Sequence, residues 1–196
     1  MFQDLAKQAN YIKENFNKIE LSHSITNDNL IIYCPYSHIV SFLQFLKTDE
    51  NLSFKTLLDL FGADLLYIKQ PRFEIIYNLL SYKLNNRITV KVAIDTLQTQ
   101  VPSVVNIFSS AGWYEREAFD MYGIYFANNP DLRRILTDYN FTGHPLQKDF
   151  PLTGYQEVRY DPDLQEVIYE PVQLAQEFRN FDFEMPWQGP KKTNLC

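Results

Sequence analysis

The residues best suited to chemistry lie between Ser110 and Pro151, in the run SAGWYEREAFDMYGIYFANNPDLRRILTDYNFTGHPLQKDFP. Glu115, Arg116, Glu117 and Asp120 stand there among Trp113, Tyr114, Phe119, Met121 and Tyr122. Ser110 as an N-cap and Gly123 just beyond the last turn predict a helix between them. Residues three and four apart share a helix face, so Arg116 lines up with Asp120 and Trp113 with Glu117. A helix that is apolar nearly all round is usually buried, and its charges then need partners. Asn129-Pro130-Asp131 forms a turn, and Arg133 and Arg134 follow it. Guanidinium groups suit bidentate pairing with carboxylates, which Lys does not reproduce. The expectation is an ionic knot between the helix and this downstream segment, sunk among aromatic rings. Acids in the first helical turns also favour the macrodipole while facing water. The surrounding rings favour burial with pairing instead, since charged side chains are seldom fully buried alone.

Two other chemistries compete. Glu117, Asp120 and His144 offer a carboxylate pair and an imidazole to a divalent metal, but the nearby arginines compete for the same carboxylates. His144 stands between Gly143 and Pro145, and its ring is expected to bond either across an interface or to Asp149. Cys34 and His38 are four apart but fall on different elements, which argues against a catalytic dyad. The sequence contains no GxGxxG, GxxxxGK[ST] or GxSxG run, so neither a phosphate-cradling loop nor a strained serine turn is expected. With no visible active site, the chain reads as a scaffold.

The elements that would position these residues follow from periodicity. Phe2, Leu5, Ala9, Ile12, Phe16 and Ile19 recur at helical steps and predict an amphipathic helix over about residues 2–19. Leu30–Cys34 is a short strand behind the turn residues Asn27-Asp28-Asn29. Pro35 opens a helix whose apolar face is Ile39, Phe42, Leu43 and Leu46. A second short helix is expected around Leu52–Leu60, ending at Gly62. Strands are expected over Asp64–Lys69, Phe73–Tyr82 and Arg87–Asp95. The last alternates Ile88, Val90, Val92 and Ile94 with Thr89, Lys91, Ala93 and Asp95, so the meander has one wet face. Ser103 caps a turn over Val104–Phe108. Beyond Gly143, Pro145, Pro151, Pro162, Pro171, Pro186 and Pro190 break regular structure. Tyr155, Tyr160, Tyr169, Phe178, Phe181, Phe183 and Trp187 are nevertheless too many rings for a solvated tail. Val158–Tyr160 and Glu166–Tyr169 suit a hairpin around Asp161-Pro162-Asp163. The class is therefore α+β: a small antiparallel sheet with helices packed on it over 1–124, then an extended irregular C-terminal arm over 125–196. A long arm with aromatic anchors suits packing on a partner.

Composition narrows the partners. Residues 1–100 hold ten Lys/Arg and ten Asp/Glu, so the second half carries the whole net charge of −6. Nucleic acid is an unsuitable partner, because phosphate binding needs a basic face; a basic protein surface suits the acidic half better. The N-terminal run MFQDLAKQANYIKENFNKIE has neither signal-peptide nor membrane-spanning character. The two cysteines, Cys34 and Cys196, cannot supply the four thiolates an iron–sulfur cluster usually needs. The chain is read as intracellular and without a redox centre.

GWYEREAFDMYGIYF, NPDLRRILTDYNFTGHPLQKDFPLTGYQEVRY and YEPVQLAQEFRNFDFEMPW together resemble the "thirty-kilodalton" subunit of proton-translocating NADH:quinone oxidoreductase, respiratory complex I. The resemblance spans Ser103 to Trp187. Asn129 departs from the usual His before PDLRR, and Gln147 from the usual Arg after HPL. The matched motif and interface residues are Glu115, Arg116, Glu117, Asp120, Gly123, Pro130, Asp131, Arg133, Arg134, Gly143, His144, Pro145, Lys148 and Asp149. The resemblance assigns none of them a catalytic, cofactor-binding or metal role. It implies a non-catalytic subunit of the peripheral arm that clamps the neighbouring quinone-site subunit, with FMN and iron–sulfur clusters in other subunits. It also implies a share in electron transfer from NADH to ubiquinone and in proton pumping, with membrane attachment only through the complex. Thirteen Tyr and fifteen Phe against six Gly suggest a mitochondrially encoded member on the matrix side of the inner membrane. The alternative is the cytoplasmic side of a bacterial membrane.

Overall fold

The computed structural model describes residues 4–17, 19–95, 97–176 and 178–179. It divides into two units, Met1–Leu152 and Thr153–Cys196. The division falls later than the expected 124/125 boundary, because residues 128–150 are bonded back onto the first unit through Asp120, Glu115 and Asp64.

In the first unit, α1 (Leu5–Asn15) begins at Asp4, whose side chain accepts from the Ala6 amide at 3.0 Å. This caps one otherwise orphaned donor. The helix is shorter than expected, and residues 1–3 and 18 lie outside the described set. β1 (Ser22–Thr26) and β2 (Asn29–Tyr33) form a hairpin closed by Asn27 and Asp28, both at positive φ, as a tight two-residue turn requires. α2 (Ile39–Thr48) follows a single turn at Tyr36–His38 and buries the expected Ile39, Phe42, Leu43 and Leu46.

The next element differs from expectation. Residues 56–64 form a strand, β3 (Thr56–Asp64), where a helix over Leu52–Leu60 was expected. The ladder register shifts between Leu57 and Asp59, a bulge that turns Leu57 and Leu60 to the core with Leu58 outward. An extra residue in a strand thus places inward positions three apart, and period-three spacing imitates a helix. The strand expected over Asp64–Lys69 is a turn, closed by the Leu65 amide on the Arg72 carbonyl at 2.7 Å. β4 (Phe73–Ser81) and β5 (Asn86–Ile94) lie where expected.

These strands make one five-stranded sheet ordered β1-β2-β5-β4-β3. Its ladders are antiparallel except β2 on β5, which is parallel, so the sheet is mixed. Ile88, Val90, Val92 and Ile94 are fully buried, while Lys91 and Ala93 on the other side reach solvent. The core joins these residues to Ala9 and Ile12 of α1, Phe16 at its C-cap, and Phe42 and Leu46 of α2, with the Phe16 and Phe42 rings 5.1 Å apart. Cys34 is buried beside this core, and burial pushes its thiol up to about 12.

β6 (Val101–Pro102) and β7 (Phe126–Ala127) pair in parallel, and α3 (Ala111–Tyr122) is the crossover between them. The second unit contains β8 (Gln156–Asp161) and β9 (Glu166–Pro171), the expected hairpin. Phe181, Phe183 and Trp187 of the expected adhesive arm lie outside the described residues.

Candidate functional site

The site is built on α3. Ser110 occupies the N-cap position but makes no side-chain capping bond; Gly123 ends the helix at φ +80°, its amide on the Phe119 carbonyl at 2.8 Å. A Cβ on Gly123 would sit 2.8 Å from the His144 ring, and one on Gly62 of β3 would sit 2.7 Å from Tyr122. Both glycines therefore permit close approach, the first in a left-handed conformation as well.

Asp120 is fully buried, and its carboxylate accepts five hydrogen bonds. Arg134 Nη1 (2.8 Å) and the Thr137 hydroxyl (2.6 Å) reach Oδ1; the amides of Ile135, Leu136 and Thr137 reach Oδ2 at 2.8–3.0 Å. Burial alone would raise its pKa, but the Thr137 hydroxyl and the three amides overcome it and hold the group well below the usual carboxylate range. Arg134 also donates to the Gly143 carbonyl at 3.1 Å and lies over the Phe141 ring. The expected lock between a helical acid and a downstream guanidinium is thus present in this one pair.

The remaining charges are arranged differently. Glu115 is fully buried but meets no guanidinium: it accepts from the Ser103 hydroxyl, the Val104 amide and Asn129 Nδ2 at 2.7–2.8 Å. Burial raises its pKa, and the three donors offset only part of the rise. Arg116 does not pair with Asp120. It donates to the carbonyls of Arg133 and Arg134, each at 3.0 Å, and lies 5.5 Å from the Trp113 ring. Arg133 is exposed and pairs with Asp131 at 2.8 Å, following the Pro130 turn at the surface rather than the buried helix. Glu117 is exposed and joins neither ion pair. It follows the solvent-facing alternative, even though its three-residue spacing makes it a helix-surface neighbour of Asp120.

His144 donates from Nδ1 to the Asp120 backbone carbonyl at 2.9 Å, rather than bonding to Asp149, and stands edge-on to Phe119. Pro145 precedes Leu146, whose amide bonds the Met121 carbonyl at 3.1 Å. The metal reading fails on this geometry. Asp120 is saturated by internal donors, Glu117 faces water, and among the described residues no group of three His, Cys, Asp or Glu is disposed to hold a metal.

Both departures from the family pattern carry bonds. Asn129 holds Glu115, and Gln147 donates to the Tyr122 carbonyl at 2.7 Å. A second knot was not visible in the sequence. Asp64 accepts a bidentate pair from Arg72 (2.7 and 2.8 Å) and the amides of Leu66 and Lys148, while Arg72 also binds Asp149 at 2.6 Å. Burial would raise Asp64, but Arg72 and then these amides bring it to about 2. Ser103, Thr137, Asp64 and Arg72 were missed; the only available signal was their flanking of turns, Asp64 and Arg72 on either side of KQP.

Residues 32–156 match the protein family described as "Respiratory-chain NADH dehydrogenase, 30 Kd subunit". A subunit of the NADH-quinone oxidoreductase of Paramagnetospirillum magneticum is 58% identical over 191 residues, 97% of this chain and 95% of that protein. The corresponding subunit of Hyphomonas neptunium is 51% identical over 187 residues, covering 95% and 92%. Among solved structures, the trypsin-resistant fragment (1-134) of Nqo5 superposes with a TM-score of 0.55 at 25% identity, covering 65% of this chain and 98% of that one. A chain in the membrane-bound sulfane sulfur reductase, an archaeal respiratory membrane complex, gives a TM-score of 0.63 at 26% identity, covering 75% and 85%.

Proposed function

The chain belongs to the family of the 30 Kd subunit of the respiratory-chain NADH dehydrogenase, and from that premise we propose that it is a structural subunit of the peripheral arm of a proton-translocating NADH:quinone oxidoreductase. Its place in that arm is against the subunit that forms the quinone site, and the electrons pass from NADH to quinone through FMN and iron–sulfur clusters held by other subunits. The observation that carries the structural reading is the state of the buried acids. Asp120, Asp64 and Glu115 commit their oxygens to donors of this same chain, which fixes segments 128–150 against α3 and β3 and leaves these groups nothing to offer a substrate. Glu115, Arg116, Asp120, Gly123, Arg134, Gly143, His144 and Lys148 act in this reading by holding that segment in shape. Glu117, Pro130, Asp131 and Arg133, at or near the surface, are the motif residues available to a neighbour.

No helix among the described residues is long and apolar enough to cross a membrane, which supports attachment through other subunits. The bacterial relatives support the cytoplasmic side of a bacterial membrane, and the ring-rich, glycine-poor composition supports the matrix side of the mitochondrial inner membrane. The archaeal complex supports a second reading, a place in a related respiratory membrane assembly, though at far lower identity than the NADH-quinone oxidoreductase relatives. The test is affinity isolation of the tagged chain from gently solubilised membranes. NADH:quinone reductase activity and a companion that forms the quinone site are expected, together with no flavin or iron–sulfur absorbance in the chain purified alone. A chain that purifies without companions and carries its own chromophore or stoichiometric metal overturns the proposal.

A further inference from the structure

β8 and β9 form an amphipathic ribbon. Their register sets Val158 opposite Tyr169 and Tyr160 opposite Val167, so these four side chains share one side. The alternate pairs, Glu157 with Glu170, Arg159 with Ile168 and Asp161 with Glu166, share the other. On that charged side Arg159 reaches Glu170 at 3.2 Å and Asp161 at 3.5 Å. The apolar four remain open to solvent, with 52% of Val158, 60% of Tyr160, 58% of Val167 and 47% of Tyr169 exposed. A two-stranded ribbon with an uncovered apolar side is marginally stable in water, so its register and its exposure together call for a cover.

We propose that the Val158, Tyr160, Val167 and Tyr169 side is a docking surface for another protein subunit that presents an apolar patch framed by Lys and Arg side chains. This deepens the subunit reading above and rests on it. Charge selects the occupant. Between Gln156 and Pro171 there are five acids, Glu157, Asp161, Asp163, Glu166 and Glu170, against Arg159 alone. The two sides of a ribbon are only a strand's thickness apart, inside the screening length of about 10 Å, so whatever covers the apolar side feels this negative charge. A second copy of the ribbon and an anionic lipid surface are both repelled. A basic-framed apolar patch is attracted, and Tyr160 and Tyr169 are suited to anchor it, with rings buried and hydroxyls at the rim.

The experiment uses the intact assembly carrying the full-length chain. Iodination of Tyr160 and Tyr169 is compared between assembly and free chain, and carbodiimide couples the ribbon's carboxylates to any Lys in contact. At least tenfold protection of both tyrosines is expected, with zero-length cross-links from Asp163, in the turn between the strands, to a Lys of one neighbouring subunit. The Tyr160→Thr/Tyr169→Thr variant, which keeps strand propensity, is expected to dissociate at least tenfold faster in moderate salt, whereas Ile168→Thr on the opposite side behaves as wild type. Unchanged iodination, within an assembly that still contains the wild-type chain, overturns the inference and leaves the subunit reading standing. Failure of the wild-type chain to enter any assembly overturns both. Tyrosine protection produced by phosphatidylserine vesicles, or by raising the concentration of the chain alone, overturns the assigned occupant.

Discussion

Five donors converge on the Asp120 carboxylate, and only one of them is a cation. Removing the acceptor therefore does more harm than removing the cation. Asp120→Asn turns one oxygen into a donor facing donors and strands the Arg134 charge; a loss of about 3–5 kcal/mol in chemical denaturation is expected. Arg134→Met leaves Asp120 with four bonds, and its cost is expected near 1.5–3 kcal/mol. Arg133→Ala is expected to leave the denaturation curve unchanged, since its pair with Asp131 stands in water. The acids also differ in pH response. Asp64 is held at about 2 in the fold against an ordinary 3.8, so the stability it lends is complete above pH 4 and is lost as pH falls toward 2. That stability is on the order of 2 kcal/mol, and Asp64→Asn should remove that part of the acid-denaturation slope. Glu115 runs the opposite way. Its folded pKa is raised by burial, so protonation favours the fold, and its contribution declines as pH climbs from the unfolded value through the folded one. Glu115→Gln should abolish that decline in melting temperature measured across the pH range.

α3 meets β3 at Gly62, where no side chain fits beneath Tyr122, and its end turns at Gly123 beneath the His144 ring. Gly62→Ala is expected to cost about 1–3 kcal/mol by overpacking. Gly123→Ala adds a left-handed penalty of about 1–2 kcal/mol to its clash, so it should lower the thermal midpoint further than Gly62→Ala. Much of this level was legible in the sequence. Gly123 and the ring-rich run before it marked α3 to within a residue, and strict alternation marked β5. The mixed sheet was not legible, because nothing local to Leu30–Tyr33 tells whether its partner runs with it or against it. β3 was misread because a bulge gives Leu57 and Leu60 a helical interval. In the knot, the type and order of residues announced a buried acid meeting an arginine, and Asp120 with Arg134 is that pair. Which acids would instead take neutral donors depended on Ser103 and Asn129 folding back on Glu115, and no spacing rule encodes that.

The whole chain divides after Leu152. Trypsin acting on the free chain is expected to cut after Arg159, exposed on the β8–β9 hairpin, before it cuts at the buried knots. Arg72, Arg116 and Arg134, each tied down by at least two hydrogen bonds to carboxylates or carbonyls, should resist. Timed proteolysis with mass spectrometry of the fragments checks the order, and early cleavage at Arg134 would contradict the buried knot. The net charge of −6 splits across this division as −2 over residues 1–152 and −4 over residues 153–196.

The parallel ladder carries a consequence for biosynthesis. Leu30 rests beside Ile88 and Ile32 beside Val90, so the first hairpin is made long before its permanent neighbour leaves the ribosome. Until residues near Ile94 emerge, the nascent β1–β2 pair holds greasy side chains with nowhere to put them. The entropy of closing so large a loop is lost before any contact offsets it. Translation that stalls inside that interval would release a sticky half-sheet, and chaperone demand should peak there.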